Sequence, residues 1–96
     1  MHYYSSMQVS IIIVNYNTKE LLNNCLKSIY KYTKDIDFEI IVSDNGSTDN
    51  SISMLKTEFP QVVIVDNGKN LGFGAANNKG LEIAKGKYIL YLNSDT

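Results

Sequence analysis

Four short apolar segments alternate with three segments of helical periodicity, and this alternation constrains the fold more than any other feature. The apolar segments have the length of buried strands, and most are rich in β-branched residues. They are Val9–Val14, Phe38–Ser43, Val62–Val65 and Tyr88–Leu92. Between them, apolar residues recur at spacings of three and four, which is typical of helices that lie on a sheet. The predicted helices are Lys19–Tyr32, Asp49–Glu58 and Gly74–Lys85.

The element order β-α-β-α-β-α-β with short connections predicts an α/β fold, a mostly parallel open sheet with flanking helices. Thr18, or Asn17, is expected to cap the first helix with its side-chain oxygen. Gly86 follows the third helix, where a left-handed C-cap belongs. The last predicted strand is apolar on both faces, as is typical of strands covered on both sides. We therefore expect a tail over 1–8 and, over 9–96, a domain that is incomplete at its carboxyl end.

Composition restricts the class of protein. The 96 residues carry nine basic and ten acidic side chains without a basic run, which argues against nucleic acid as a partner. No apolar stretch approaches the roughly 18 residues of a membrane span. The single cysteine, Cys25, suits a reducing compartment, and the opening six residues are too polar for a secretory signal. We expect a cytoplasmic location, with attachment of the parent protein to the inner face of the membrane left open.

Polar residues follow three of the four predicted strands. Because the carboxyl ends of parallel strands meet at one edge, where such sheets bind ligands, these residues are expected to line one crevice. They are Asn15-Tyr16-Asn17, Asp44-Asn45-Gly46-Ser47-Thr48-Asp49 and Asn93-Ser94-Asp95. An aromatic ring, a carboxylate at a strand end and paired oxygen ligands for a hard cation together suit a nucleoside diphosphate.

Each of these residues also has a structural interpretation. Tyr16 can be loop packing, Asp44 can be a turn residue, and Asp49 is more readily a helix cap than a ligand contact. Asn93 and Asp95 are two residues apart, so in an extended segment their side chains leave the same face, roughly 6.6 Å apart.

Taken together, the motifs resemble the amino-terminal half of the GT-A nucleotide-sugar glycosyltransferases, specifically the inverting family 2. The similarity covers nearly every residue from Val9 to Thr96, and four motifs occur in order at suitable spacing. These motifs are Val9-Ser10-Ile11-Ile12-Ile13-Val14-Asn15-Tyr16-Asn17, Glu39-Ile40-Ile41-Val42-Ser43-Asp44-Asn45-Gly46-Ser47-Thr48-Asp49, Asn70-Leu71-Gly72-Phe73-Gly74-Ala75-Ala76-Asn77-Asn78-Lys79-Gly80 and Tyr91-Leu92-Asn93-Ser94-Asp95.

This resemblance implies a role for particular residues. Tyr16 would lie against the nucleotide, and Asp44 would accept a hydrogen bond from uracil or thymine. Asp95, helped by Asn93, would ligate the Mg²⁺ or Mn²⁺ that bridges the diphosphate. The other implied nucleotide-binding residues are Asn15, Asn17, Asn45, Asn70, Gly72, Asn78 and Ser94.

Two positions depart from the family pattern. Asn93 stands where an Asp-x-Asp motif often has its first acid, so the resemblance implies metal binding that is weaker or assisted by the donor. Asn77-Asn78 replaces an Arg-Asn pair that many relatives carry, so a positive contact near the nucleotide is missing.

The implied parent enzyme moves a hexosyl group, with inversion, from a UDP- or dTDP-sugar to a hydroxyl of a saccharide or lipid-linked acceptor in cell-surface polysaccharide biosynthesis. In this family the catalytic base and the acceptor-binding half lie beyond the metal motif. No catalytic residue is therefore assigned up to Thr96, and we expect donor binding without sugar transfer by this chain. Its apolar last strand also predicts self-association as a homodimer.

Three other functions compete with this one. A dinucleotide-binding domain is suggested by Gly72-Phe73-Gly74, but Asn77 occupies the third small position and the motif does not follow the first strand. A nucleotidyltransferase would normally have a basic glycine-rich loop after that strand. A non-catalytic nucleotide-binding or interaction module remains open, and sequence downstream of Thr96 would discriminate it from the enzyme.

Overall fold

The structure is a computed structural model that describes residues 7–94. It contains seven elements in the predicted alternating order, which confirms the α/β prediction. In chain order they are β1 (Val9–Asn15), α1 (Lys19–Tyr32), β2 (Phe38–Asp44), α2 (Ser51–Glu58), β3 (Val63–Asp66), α3 (Phe73–Ile83) and β4 (Tyr88–Asn93).

The four strands form one parallel sheet in the order β3-β2-β1-β4. The ladder between β1 and β2 ends at the pair Asn15↔Asp44, and the ladder between β1 and β4 ends at Val14↔Asn93. From β1 the chain first builds outward through β2 to β3, and it then crosses back so that β4 lies on the other side of β1. The strand order therefore reverses between β1 and β4, and open α/β sheets bind ligands beside such a reversal.

The two central strands of the sheet, β1 and β2, are covered on both faces. On one face Ile11 and Ile13 of β1 pack in a buried cluster with residues of α1 and α2, including Leu26 and Leu55. On the other face Ile12 lies beneath α3, because a Cβ on Gly80 would stand 2.8 Å from the Cγ2 atom of Ile12. Side chains alternate along a strand, so consecutive isoleucines of β1 reach opposite layers.

Several predicted boundaries are off by one or two residues. β1, β2 and β4 each continue one residue beyond the prediction, because the backbone ladder does not stop at the first polar side chain. β3 starts and ends one residue later than predicted, α2 starts two residues later, and α3 spans Phe73–Ile83 rather than Gly74–Lys85.

The prediction of a left-handed C-cap at Gly86 is wrong. α3 ends at Ile83, and Ala84 occupies the cap position with an extended backbone. Gly86 is not among the glycines of positive φ, but a Cβ there would stand 2.4 Å from the backbone nitrogen of Ser10. Glycine is needed because the turn before β4 runs against β1, and the amide of Gly86 donates to Ser10 Oγ at 2.7 Å.

Two other predictions lie wholly or partly outside the described residues. Most of the expected tail falls before residue 7, and the metal ligand Asp95 falls after residue 94. Within residues 7–94, no helix is both long and apolar enough to cross a membrane.

Candidate functional site

The carboxyl ends of β1 and β2 are joined by a buried polar pair. Asn15 and Asp44 are fully buried, and Asn15 Nδ2 donates to Asp44 Oδ1 at 2.8 Å. Ser47 donates to the same carboxylate twice, from its backbone nitrogen at 2.8 Å and from its hydroxyl at 2.7 Å. The oxygens of Asp44 therefore face the protein's own chain, and its contact with a nucleotide base stays a prediction.

The loop after β1 also reaches the end of β4. Thr18 Oγ1 donates to Asn15 Oδ1 at 2.7 Å and lies 3.3 Å from Ser94 Oγ. Asn93 ends β4 with an exposed side chain. Three strand ends thus converge at one edge of the sheet, as predicted from the chain order, and the structure shows that the strand order reverses there.

The loops after β1 and β2 are fastened together by Asn17. This residue takes a left-handed backbone, with φ of 52°, which asparagine adopts more readily than most residues. Its Oδ1 accepts from the backbone nitrogen of Thr48 at 2.7 Å, and its own nitrogen donates to Ser47 Oγ at 2.9 Å. Tyr16, held between Asn15 and Asn17, is 49% exposed. The two loops therefore form a fixed rim that leaves an aromatic side chain accessible.

Asp49 caps two helices. Its Oδ1 accepts from the backbone nitrogen and hydroxyl of Ser51 at the start of α2, as predicted, and its Oδ2 accepts from Lys19 at the start of α1. The predicted caps from Thr18 or Asn17 are wrong, because Thr18 holds the N-cap position of α1 without a side-chain cap bond. Burial raises the pKa of Asp49, but the hydrogen bonds from Ser51 and Lys19 outweigh it and lower the pKa below its usual range. The amino termini of α1 and α2 therefore favour the charged form of the Asp49 carboxylate.

An asparagine cluster holds the glycine-rich loop after β3. Asn45 is 3% exposed, and its Nδ2 lies 3.3 Å from both Asn70 Oδ1 and the carbonyl oxygen of Gly72. Asn67 donates to Asn45 Oδ1 at 3.0 Å and to Ser43 Oγ at 2.9 Å. The structure thus brings together Asn45, Asn70 and Gly72, three of the predicted binding residues. Asn67 was not predicted, and its position directly after β3 is the signal that could have found it.

The remaining predicted residues are less connected. Asn78 is exposed on α3 and makes no hydrogen bond to another predicted site residue within 7–94. In the same range, no three His, Cys, Asp or Glu side chains are grouped so that they could hold a metal ion. The predicted metal motif contributes Asn93 and Ser94 to the described edge, and Asp95 follows them in the sequence.

The sequence is similar to a known protein family and to several characterised proteins. The model described as "Glycosyl transferase family 2" matches residues 10–96. The chain is 40% identical over 94 residues to the poly(ribitol-phosphate) beta-glucosyltransferase of Bacillus spizizenii, covering 93% of this chain and 15% of that protein. It is 36% identical to the UDP-Glc:alpha-D-GlcNAc-diphosphoundecaprenol beta-1,3-glucosyltransferase WfaP of Escherichia coli, covering 91% of this chain and 35% of WfaP.

Solved structures of glycosyltransferases have a similar fold. S. aureus TarS 1-349 in complex with UDP-GlcNAc superposes with a TM-score of 0.79 at 26% identity, covering 93% of this chain and 27% of that one. The mannosyltransferase PcManGT of Pyrobaculum calidifontis, in complex with GDP-Man and Mn²⁺, gives 0.80 at 27% identity, with 92% and 27% covered. The chain therefore spans about a quarter of these structures.

Proposed function

The chain belongs to glycosyl transferase family 2 and has the GT-A fold, and we propose that its carboxyl sheet edge binds the donor of an inverting glycosyltransferase. The observation that carries this proposal is that three strand ends meet where the strand order reverses. Asn15 donates to Asp44 at 2.8 Å between the ends of β1 and β2, and Thr18 lies 3.3 Å from Ser94 at the end of β4. Ligands of open α/β sheets occupy that position. The donor consists of a base, a diphosphate and a sugar, and the proposal assigns the base and the diphosphate to parts of the edge.

The proposed donor is a UDP-sugar, with a dTDP-sugar as the second choice. TarS in complex with UDP-GlcNAc and the UDP-Glc in the name of WfaP support uridine. We assign the base to the accessible ring of Tyr16, since an aromatic face stacks on a base without needing a hydrogen-bond match. Asp44 would read the imide N–H only if the hydrogen bonds from Asn15 and Ser47 rearrange.

The proposed cofactor is Mg²⁺ or Mn²⁺, bound together with the diphosphate. The donor set fits a hard cation, because Asn93, Ser94 and Asp95 can each offer an oxygen ligand. Such a cation would neutralise charge on the departing diphosphate. Asn93 adds no charge to the site, so the protein alone should hold the cation weakly and the nucleotide should complete its shell.

For the full-length parent we propose transfer to a hydroxyl of a saccharide or lipid-linked acceptor. The name of WfaP, which includes alpha-D-GlcNAc-diphosphoundecaprenol, supports an acceptor of this kind. The acceptor oxygen would form a bond to the anomeric carbon as the bond to the diphosphate breaks on the opposite face. The proton of the acceptor would pass to a base outside this chain. We also propose a cytoplasmic location and a homodimer, which would cover the exposed Leu90 and Tyr91 of β4.

Calorimetric titration of the chain with UDP, in the presence and absence of Mn²⁺, tests the proposal. We expect that the chain binds UDP and that Mn²⁺ strengthens this binding. Tyr16→Ala should bind UDP about 5- to 30-fold more weakly, which corresponds to about 1 to 2 kcal/mol of lost stacking. Tyr16→Phe should bind like the parent. Tyr32→Ala is the matched control, because this exposed tyrosine lies at the far end of α1, towards the opposite edge of the sheet. Absence of UDP binding, or equal affinity in Tyr16→Ala, would refute the proposal.

A further inference from the structure

A directed chain of hydrogen bonds runs from Ser94 to the buried carboxylate of Asp44. A carboxylate only accepts hydrogen bonds, so the amide nitrogen of Asn15 must face Asp44. The carbonyl oxygen of Asn15 then faces Thr18, whose single hydroxyl proton is donated to it at 2.7 Å. Because that proton is committed, the 3.3 Å contact between Thr18 and Ser94 can form only if Ser94 donates.

This direction determines what Ser94 can offer to a ligand. A serine hydroxyl has one proton and two lone pairs. With its proton turned inward to Thr18, Ser94 presents oxygen lone pairs to its surroundings. A phosphate oxygen needs a donor, so the diphosphate is a poor partner for this hydroxyl. A hydrated divalent cation needs acceptors and is a good one.

The inner end of this hydrogen-bond chain is held by buried contacts. Asn15 and Asp44 are fully buried, and Ser47 donates twice to the same carboxylate. Reversing the direction of the chain would leave the Asn15 carbonyl oxygen against the Asp44 carboxylate, with both groups buried. Such an unpaired arrangement is strongly unfavourable. The orientation of the half-buried Thr18 and Ser94 is therefore dictated from the core.

We infer that Thr18 is a positioning residue that holds the Ser94 hydroxyl as an acceptor for the hydrated divalent cation. The role in cation binding rests on the proposed function, whereas the restraint on Ser94 does not. The sequence predicted that Ser94 contacts the nucleotide, and this proposal instead assigns Ser94 to the cation.

The first test measures how much Mn²⁺ strengthens UDP binding, as the ratio of the dissociation constants without and with the ion. Thr18→Val keeps the shape but removes the hydroxyl, and we expect this ratio to fall by about 3- to 10-fold, the worth of one hydrogen bond. Thr18→Ser should restore it, and Ser94→Ala should lower it to the same extent. In the double variant the ratio should fall no further than in either single variant, because both substitutions remove the same hydrogen bond between Thr18 and Ser94. Thr57→Val, which is exposed on α2 and outside the predicted crevice, is the matched control and should behave like the parent.

The second test needs no ligand. The ¹⁵N order parameter of the Ser94 backbone should fall in Thr18→Val and stay at the parental value in Thr18→Ser, with Asp44 unchanged in both. An unchanged ratio in Thr18→Val, or losses that multiply in the double variant, would overturn the role in cation binding. If the parent shows no Mn²⁺-dependent UDP binding, the proposed function fails and the order parameter alone decides whether Thr18 positions Ser94. If Thr18→Val does not fold, the comparison of Ser94→Ala with the parent decides the cation role in the same way.

Discussion

Replacement of Gly86 by alanine should destabilise the chain although it adds only one methyl group. The new Cβ would stand 2.4 Å from the nitrogen of Ser10 and 2.7 Å from its Oγ, whereas ordinary contacts begin near 3.4 Å. The turn before β4 and the strand β1 must therefore separate by about 1 Å, the difference between 3.4 and 2.4 Å. Backbone atoms lie on both sides of this contact, so no side-chain rotation relieves it.

A separation of that size breaks a small hydrogen-bond network. Gly86 donates to Ser10 Oγ at 2.7 Å, Ser10 donates to Glu39 at 2.6 Å, and the amide of Lys85 donates to the same Glu39 oxygen at 2.7 Å. Loss of one neutral bond and one bond to a charged group lowers the free energy of unfolding by about 2 to 4 kcal/mol. For a domain of this size that corresponds to a melting temperature about 10 to 25 °C lower.

Urea unfolding followed by far-ultraviolet circular dichroism, at one protein concentration, measures this difference. Gly74→Ala is the matched control, because a Cβ at Gly74 meets no atom within 4 Å and the residue is helical. That variant should be unchanged or more stable by about 0.5 kcal/mol. A Gly86→Ala protein within about 0.5 kcal/mol of the parent would refute the steric argument, since the expected loss is several times larger.

Three further predictions concern polar and buried groups. Asp49→Ala should lose about 1 to 2 kcal/mol of stability at pH 7, because α1 and α2 both lose a cap. Since folding lowers the pKa of Asp49, its contribution is present above the unfolded value of about 3.9 and is lost as the pH falls through the folded pKa. Urea unfolding should show parent and variant converging on acidification, and a widening gap would contradict the assignment. Asp44→Asn should lose about 2 to 4 kcal/mol, because an amide nitrogen would then face donors, whereas the exposed Asp66→Asn should change little. Cys25 is buried and desolvation raises its pKa, so a thiol reagent should label it only at the rate of unfolding, and fast labelling of the native chain would be the opposite result.

The sequence predicted the elements well where burial dominates. The β-branched runs of β1 and β2 lie in the core between two helical layers, and such runs leave little choice but a central strand. The meeting of polar loops at one edge followed from the parallel order alone. The boundaries shifted because Asn15 and Asp44 continue the ladder through backbone groups, to which side-chain polarity gives no guide.

Long-range contacts were beyond the reach of local patterns. Asp49 was predicted to cap the helix next to it, but its bond to Lys19 joins residues 30 apart in the chain. Gly86 resembled a helix cap, and only the approach of β1 gives its actual reason. The burial of Asp44 likewise depends on Ser47 and Asn15, which fold around it. The predicted contacts of these loops with nucleotide and metal stay predictions.

The central claim is that the donor binds at the carboxyl edge of the sheet beside the reversal of strand order. The most direct measurement is a ¹H–¹⁵N nuclear magnetic resonance titration of the labelled chain with UDP and Mg²⁺. The account predicts that the amide signals of Tyr16, Ser47 and Ser94 shift together, while those of Gln8 and Asp37, at the opposite edge, stay in place. Shifts confined to Gln8 and Asp37, or no shifts at saturating UDP, would contradict it.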